Sequence, residues 1–435
     1  MIPHQDTIAA IATAAGGGVG IIRLSGPDAI AITKRHFDGF PAEPQARYAY
    51  HGWWRNHDGQ ALDEGLVLLM PGPASFTGED VAEVHLHGGA LNLRRALEVC
   101  TQAGARPAEP GEFSRRAFLN GRMDLTRAEA IADLIAARTD HALETARAHL
   151  GGALASRCLE ARERVIDLRA RLEVTIDFVD EDVPVIDPAE LEADARGLAE
   201  EMAGLAGTFN QGRLWQEGAR VALTGPPNAG KSSLFNALCG QDRAIVTATA
   251  GTTRDTLEAT IDLLGVPVVL VDTAGLRDTN DPIEAEGVAR AHRAAKEADL
   301  ILTLIAEDDT NSPAQSGLLI ASKADVRASI PEGALPVSAV TGAGLKELER
   351  AILDRLGGRA EGHGQLVITR TRHHAALQRA SGCLIAAAEA LASGEPAEFV
   401  AVDVAEATDA LGEIVGLTTI EDVLDRLFGS FCIGK

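Results

Sequence analysis

Residues Val221–Leu234 read VALTGPPNAGKSSL, and this stretch decides the architecture of its part of the chain. An apolar run, Arg220–Thr224, has the look of a buried strand, and Ser233–Leu238 continues as a helical run. Between them lies Gly225-x-x-x-x-Gly230-Lys231-Ser232. Glycines there let backbone N–H groups curl around phosphate oxygens, with Asn228, Ala229, Gly230 and Ser233 in the cradle. Lys231 is placed to reach the β- and γ-phosphates, and the Ser232 hydroxyl to ligate Mg²⁺. The helix N-terminus adds its partial positive charge.

Downstream segments supply the rest of a guanine nucleotide site. Gly251-Thr252-Thr253-Arg254-Asp255 follows at the distance of a switch loop, with Thr253 as a second candidate Mg²⁺ ligand. The apolar strand VVLVDTAG ends in Asp272-Thr273-Ala274-Gly275. Asp272 is expected to hold the magnesium shell through water, and the Gly275 N–H to meet the γ-phosphate. A further strand, LLIASKAD, ends in Ser322-Lys323-Ala324-Asp325. Asp325 can accept from guanine N1 and N2, which adenine does not offer, and Ser338-Ala339 lies in a loop that backs the base. Two features depart from the usual GTPase pattern. Ser322 stands where Asn is usual, which removes an orienting amide, and residues 306–317 leave space for only a shortened helix or none. Leu276 follows Gly275 and cannot orient water, so Asp278, Asp281, Glu284 and Glu286 remain open as the group that does.

The composition sets bounds around this site. At 435 residues the chain is expected to form two to four domains. Its net charge of −23 argues against strong non-specific binding of nucleic acid by the chain as a whole. Five scattered cysteines without metal-ligand spacing fit free thiols in a reducing cytoplasm. No apolar run is long enough to span a membrane, and the N-terminus has no signal-peptide pattern. Residues 1–120 mix strand patterns (Gly18–Gly26, Glu64–Gly72, Asp80–Gly89) with a helix over Leu91–Gly104, as a small α/β domain does. Residues 121–214 are Ala/Leu/Arg/Glu-rich with helical spacing and form the first part of a helical domain. There Asp187, Pro188 and Glu190 make a capping-box start. Residues 215–360 alternate strand and helix around the phosphate loop, and 361–435 return to helices. The expected fold is therefore α/β plus all-α, with a Ras-like P-loop G domain inserted into a helical bundle.

The chain ends in Phe431-Cys432-Ile433-Gly434-Lys435. Gly434 and Lys435 spoil a prenylation box, which leaves a buried inert cysteine or a functional thiol.

Taken together, DTIAAIAT…GGVGIIRLSG, SFTGEDVAEVHLHGG, GEFSRRAFLNGRMDLTRAEAIADLI, PNAGKSSLFNAL…VTATAGTTRD, DTAGLRD and the terminal FCIGK resemble the MnmE (TrmE) family of tRNA-modification GTPases over nearly the whole length. The resemblance implies an N-terminal domain for folate binding and dimerisation, an interrupted helical domain and an inserted G domain. It assigns Glu284 as the residue that orients water. It implies a K⁺ site at Asn228, Thr247, Thr249 and Thr252, within the nucleotide loop that also includes Ala248 and Ala250. Arg23, Glu83, Arg122 and Lys435 match positions that bind a tetrahydrofolate derivative, in its 5-formyl or methylene form. Relatives often have Lys where Arg122 stands, and some carry Arg where Gly17 stands. Cys432 is implied to be a functional thiol near the folate carbon, with Lys435 contacting folate. The implied partners are GTP and GDP, a second copy of the chain, tRNA, and an FAD-bearing protein of the MnmG (GidA) kind in a heterotetramer or larger complex. Two other functions are alternatives. A ribosome-assembly GTPase of the Era or Der type calls for a KH-like domain or a second phosphate loop, neither of which is read here. A purely regulatory switch implies that Cys432→Ser leaves tRNA modification intact.

Overall fold

A computed structural model describes residues 6–177, 187–226, 228–243, 257–272, 296–305, 317–358, 366–418 and 421–434. The chain forms two compact units, Met1–Ala132 with Val415–Lys435, and Asp133–Ile414. The helical and α/β segments expected from the sequence are present, and among the described residues no helix is long and apolar enough to cross a membrane.

The first unit is built on a six-stranded sheet: β1 (Ile8–Ile11), β2 (Val19–Ser25), β3 (Tyr50–Arg55), β4 (Ala61–Met70), β5 (Val81–His87) and β6 (Arg106–Pro107), in spatial order β3-β4-β5-β2-β1-β6. All pairings are antiparallel except β1–β6. Strand alternation sorts the side chains. Ile22, Leu24, Val67, Leu69, Val84 and Leu86 face one core, covered by α1 (Ala29–His36) and α2 (Ala90–Gln102) through Ile32, Leu93, Ala96 and Val99. On the other face Ile8 and Ala10 pack with Ala108 and Phe113, the latter from α3 (Glu112–Leu119), and with Phe76. Arg23 and Glu83 lie directly opposite each other in the β2–β5 register, offset by one residue from the α1/α2-facing positions. The Ser75–Asp80 loop is fixed by buried polar contacts. Arg116 of α3, with a fully buried side chain, bonds Glu79 at 3.1 Å and Glu112 at 2.9 Å, and Asn120 donates to the Thr77 carbonyl. The chain's last helix, Glu421–Gly429, returns to this unit. Its Leu424 and Phe428 join Phe431, Leu125 and Ala128, the last two from α4 (Leu125–Ala136).

The second unit holds helices α5 (Asp140–Leu150), α6 (Ala153–Asp177), α7 (Pro188–Ala206) and α8 (Phe209–Glu217). The helical pattern that runs unbroken through residues 125–150 is interrupted in space, because the Thr139 hydroxyl accepts from the Ala142 N–H and starts α5 afresh. At α7, Asp187 caps as expected by accepting from the Ala189 N–H at 2.9 Å. The Glu190 carboxylate does not close a box in the structure; it lies 3.5 Å from Arg171 of α6.

After α8 comes a second six-stranded sheet: β7 (Ala219–Thr224), β8 (Leu257–Leu263), β9 (Val266–Asp272), β10 (Leu300–Leu304), β11 (Leu318–Ser322) and β12 (Leu335–Val337), ordered β12-β11-β10-β7-β9-β8. It is parallel except for the β8–β9 hairpin. Helices α9 (Lys231–Arg243, non-helical at Gly240) and α10 (Leu345–Arg355) flank it and bury Leu234, Leu238, Leu348 and Ile352. The chain then enters α11 (Thr371–Ser393) and α12 (Ala397–Val415). Ala- and Leu-faced α7 and α11 pack along each other, pinned where Ser381 Oγ donates to the Ala199 carbonyl. The connections into and out of the α/β part run side by side: the Ile368 N–H donates to Thr208 Oγ1 at 3.0 Å. That closeness is what inserting one fold within another requires.

Candidate functional site

Strand register brings the nucleotide motifs together. Thr224, Asp272, Ser322 and Val337 end β7, β9, β11 and β12 at the same edge of the parallel sheet, where such sheets bind ligands. Gly225 follows β7 with φ +141°, and a Cβ there would lie 2.4 Å from the Leu304 carbonyl oxygen, so only glycine makes this turn. The Lys231 ammonium is buried within the loop and donates to the carbonyls of Gly225 at 2.8 Å and Pro226 at 2.9 Å. Burial pulls its pKa down, and the nearby Asp272 carboxylate acts in the opposite direction. Ser232 Oγ donates to Asp272 Oδ2 at 2.9 Å. This pair of hard oxygen groups fits a Mg²⁺ ion, which takes a hydroxyl directly and a carboxylate through water. Asn228, exposed and with φ +63°, sits at the outer turn of the loop.

Beside the loop lies a pocket of about 190 Å³, lined by Gly230, Ser233, Leu234, Ser322, Asp325 and Ala339 among others. Lys323 adopts φ +55° and turns the chain so that Asp325 reaches this pocket. Ser338 is fully buried; its N–H donates to the Ala343 carbonyl and its Oγ accepts from the Thr341 N–H, which fixes the loop carrying Ala339. Ser322 does more than the sequence suggested. Its Oγ donates to the Ala229 carbonyl at 2.5 Å, so the serine ties the phosphate loop to the base loop. Thr247, Ala248, Thr249, Ala250, Gly251, Thr252, Thr253, Thr273, Ala274, Gly275 and Glu284, and the segment 306–316, lie outside the described residues.

A second constellation sits on the first unit's sheet. Arg23 donates through Nε to Glu83 Oε1 at 2.9 Å, with Nη2 also 2.9 Å away. Its guanidinium lies 5.4 Å from the Phe76 ring centre and 5.7 Å from that of Phe113. His85 Nε2 lies 3.2 Å from Glu83 Oε2. The His85 hydrogen bond, followed by the Arg23 charge, holds the Glu83 carboxyl below its ordinary pKa despite burial. A carboxylate keeps lone pairs beyond these contacts, and a pterin presents N–H donors, so Glu83 fits that ligand class. Arg122 does not meet Arg23 and Glu83 directly; its Nε donates to the Ser75 carbonyl, next to Phe76. The tail arrives from the far end of the sequence. Ile433 bridges Pro110, the Gly111 N–H donates to the Cys432 carbonyl, and Arg23 Nη1 donates to the Gly434 carbonyl at 3.4 Å. Cys432 is exposed, which removes the reading of a cysteine packed into a core. Lys435 lies outside the described residues. Sequence reasoning did not single out Phe76, Phe113 or His85. The two phenylalanines stand in SFTGED and GEFSRR, but nothing in either string says that both rings flank Arg23.

Comparison with known proteins identifies the family of the chain. A domain described as the GTP-binding protein TrmE N-terminus matches residues 7–122, and the MnmE helical domain matches residues 125–432. The chain belongs to the MnmE family. Its relatives include the tRNA modification GTPase MnmE of Symbiobacterium thermophilum, 43% identical over 457 residues and covering 99% of this chain and 100% of that protein. The protein of the same name from Synechococcus sp. (strain CC9605) is 44% identical over 457 residues, covering 100% of both chains. That from Aquifex aeolicus is 41% identical over 449 residues, covering 99% of this chain and 100% of its own. Full-length matches of this kind carry the MnmE family assignment across both units.

Proposed function

We propose that the chain is a potassium-stimulated GTPase that works with a flavin partner to modify C5 of the wobble uridine in certain tRNAs. Its GTPase activity and its place in tRNA modification follow from membership of the MnmE family. The observation that carries the nucleotide half is the convergence of Lys231, Ser232, Asp272, Asp325 and Ala339 at one sheet edge. There Lys231 offsets charge on the β- and γ-phosphates, while Ser232 and Thr253 hold Mg²⁺. Water attacks the γ-phosphorus, the bond to the β–γ bridging oxygen breaks, and GDP and phosphate leave. Glu284 orients that water. Asn228, Thr247, Thr249 and Thr252 would hold K⁺ as two G domains of a homodimer meet, and the ion would supply positive charge opposite the charge that develops between the β- and γ-phosphates. Ala248, Ala250, Gly251, Thr273, Ala274 and Gly275 belong to the same nucleotide site, with the Gly275 N–H meeting the γ-phosphate.

On the first unit, Arg23, Glu83, Arg122 and Lys435 bind a tetrahydrofolate derivative that supplies a one-carbon unit, beside Cys432. What supports this is the pairing of Arg23 with Glu83 between two phenylalanine rings and the seat of the tail on Arg23. FAD belongs to the MnmG-type partner, and the assembly is cytoplasmic. Hydrolysis drives opening and closing of the G domains, relayed through the helices, rather than chemistry on the base.

The test is GTP turnover in KCl against NaCl at equal ionic strength. Stimulation by K⁺ alone supports the potassium loop and G-domain pairing. Equal slow rates in the two salts overturn that half and leave the folate half to ligand-binding measurements with Glu83→Gln.

A further inference from the structure

The proposal here rests on the guanine nucleotide reading of the pocket and deepens it. Ser322 is 7% exposed and lies on the side of the pocket nearest the phosphate loop: a Cβ added at Gly230 would be 3.8 Å from its Oγ. Asp325, three residues on, lines the same pocket. A guanine whose N1–H and N2–H₂ edge meets Asp325 must turn its imidazole edge, with N7, toward the phosphate loop, because N9 leads through the ribose to the phosphates. Ser322 is therefore the polar side chain on the N7 side. Ser233 also lines the pocket, but it follows Ser232 on the first turn of α9, at the phosphate end.

A serine hydroxyl carries one proton. Here that proton goes to the Ala229 carbonyl at 2.5 Å. What remains toward the base is lone pairs, and purine N7 is an acceptor. A carboxamide at this position would have two N–H donors, one for Ala229 and one for N7. Of the other described residues lining the pocket, Gly230, Leu234, Val326, Val337, Ala339 and Val340 bring no side-chain donor, and Lys323 stands between Ser322 and Asp325 at the turn of the base loop. We propose that Ser322 makes this site blind to purine N7, so that among the described side chains guanine is selected by Asp325, through the N1/N2 edge. The residue acts as a strut between two loops and gives up base reading in return.

The experiment compares dissociation constants of GDP, 7-deaza-GDP and ADP for the full-length wild-type chain, Ser322→Asn and Ser322→Ala. One neutral hydrogen bond changes affinity by roughly two- to tenfold, so about threefold is a usable dividing line. The wild type is expected to bind GDP and 7-deaza-GDP within about threefold of each other. Ser322→Asn is expected to prefer GDP over 7-deaza-GDP by more than that. Ser322→Ala, having lost the strut, is expected to weaken both equally. A wild-type preference for GDP above about threefold overturns the proposal, as does an unchanged ratio in Ser322→Asn. Selectivity for GDP over ADP reports separately on the guanine reading: if ADP binds as well as GDP, that reading fails first and this inference falls with it.

Discussion

Single side chains set the chemistry at both sites, and two of them give direct tests. Lys231 is buried among backbone carbonyls that a phosphate group would replace as its partners. Lys231→Ala is expected to cut GTP turnover by about 100-fold or more, the scale seen when one charge-stabilising donor is removed, with the circular dichroism spectrum unchanged. Glu83 is held as a carboxylate by His85 and Arg23, so its folded-state pKa is depressed. The stabilisation that follows is fully present above the ordinary glutamate range and is lost as the pH falls through the depressed folded value. Glu83→Gln leaves the Arg23 guanidinium without its carboxylate and is expected to cost about 1–3 kcal/mol at neutral pH. The gap between the two melting curves should close as the pH drops below the glutamate range. A gap that is the same at every pH would show that Glu83 contributes through packing and not through its charge.

Among the elements, the tail segment after the last helix has a strict backbone requirement. Gly434 has φ +92°, and a Cβ there would lie 2.5 Å from the Ile11 carbonyl oxygen. Its own carbonyl accepts from Arg23. Gly434→Ala is expected to strain or detach this segment at a cost of about 1–3 kcal/mol. Hydrogen exchange at the Gly111 N–H, which donates to the Cys432 carbonyl, should then quicken while exchange in β2 and β5 stays slow. Elements of this kind were only partly legible beforehand. Strands β2, β5, β7, β9 and β11 and helices α2 and α7 could be located from their hydrophobic period and stop signals, because local pattern dictates them. The break at Thr139 could not, since Ala- and Leu-rich sequence favours helix on both sides and a single hydroxyl cap decides the start of α5.

At the scale of the whole molecule, charge governs what the chain can hold alone. With a net charge of −23, phosphate backbones meet a repulsive average field, and in the function proposed above the partner would supply much of the basic surface. The chain by itself is expected to bind tRNA no tighter than about 10⁻⁶ M at physiological salt, as measured by filter binding. Nanomolar binding without a partner would overturn that view.

What the sequence determined by itself is the chemistry that runs in short stretches. The phosphate loop, Asp272, the Ser322–Asp325 turn and the Ser338–Ala339 loop each carry their role within a few residues, because backbone turns and adjacent side chains are local. The alternation of apolar and polar residues also separated the helical segments from the α/β ones. Tertiary structure alone decided the rest. Gly434 meets Arg23 across 411 positions, and two phenylalanines, one from the Ser75–Asp80 loop and one from α3, close on the same guanidinium. The Ser322 hydroxyl finds Ala229, 93 positions away. Contacts of this kind depend on strand register and on where the chain returns, and no local pattern encodes either. In sequence, Ser322 is a missing amide; in the folded chain it is the bond between two loops.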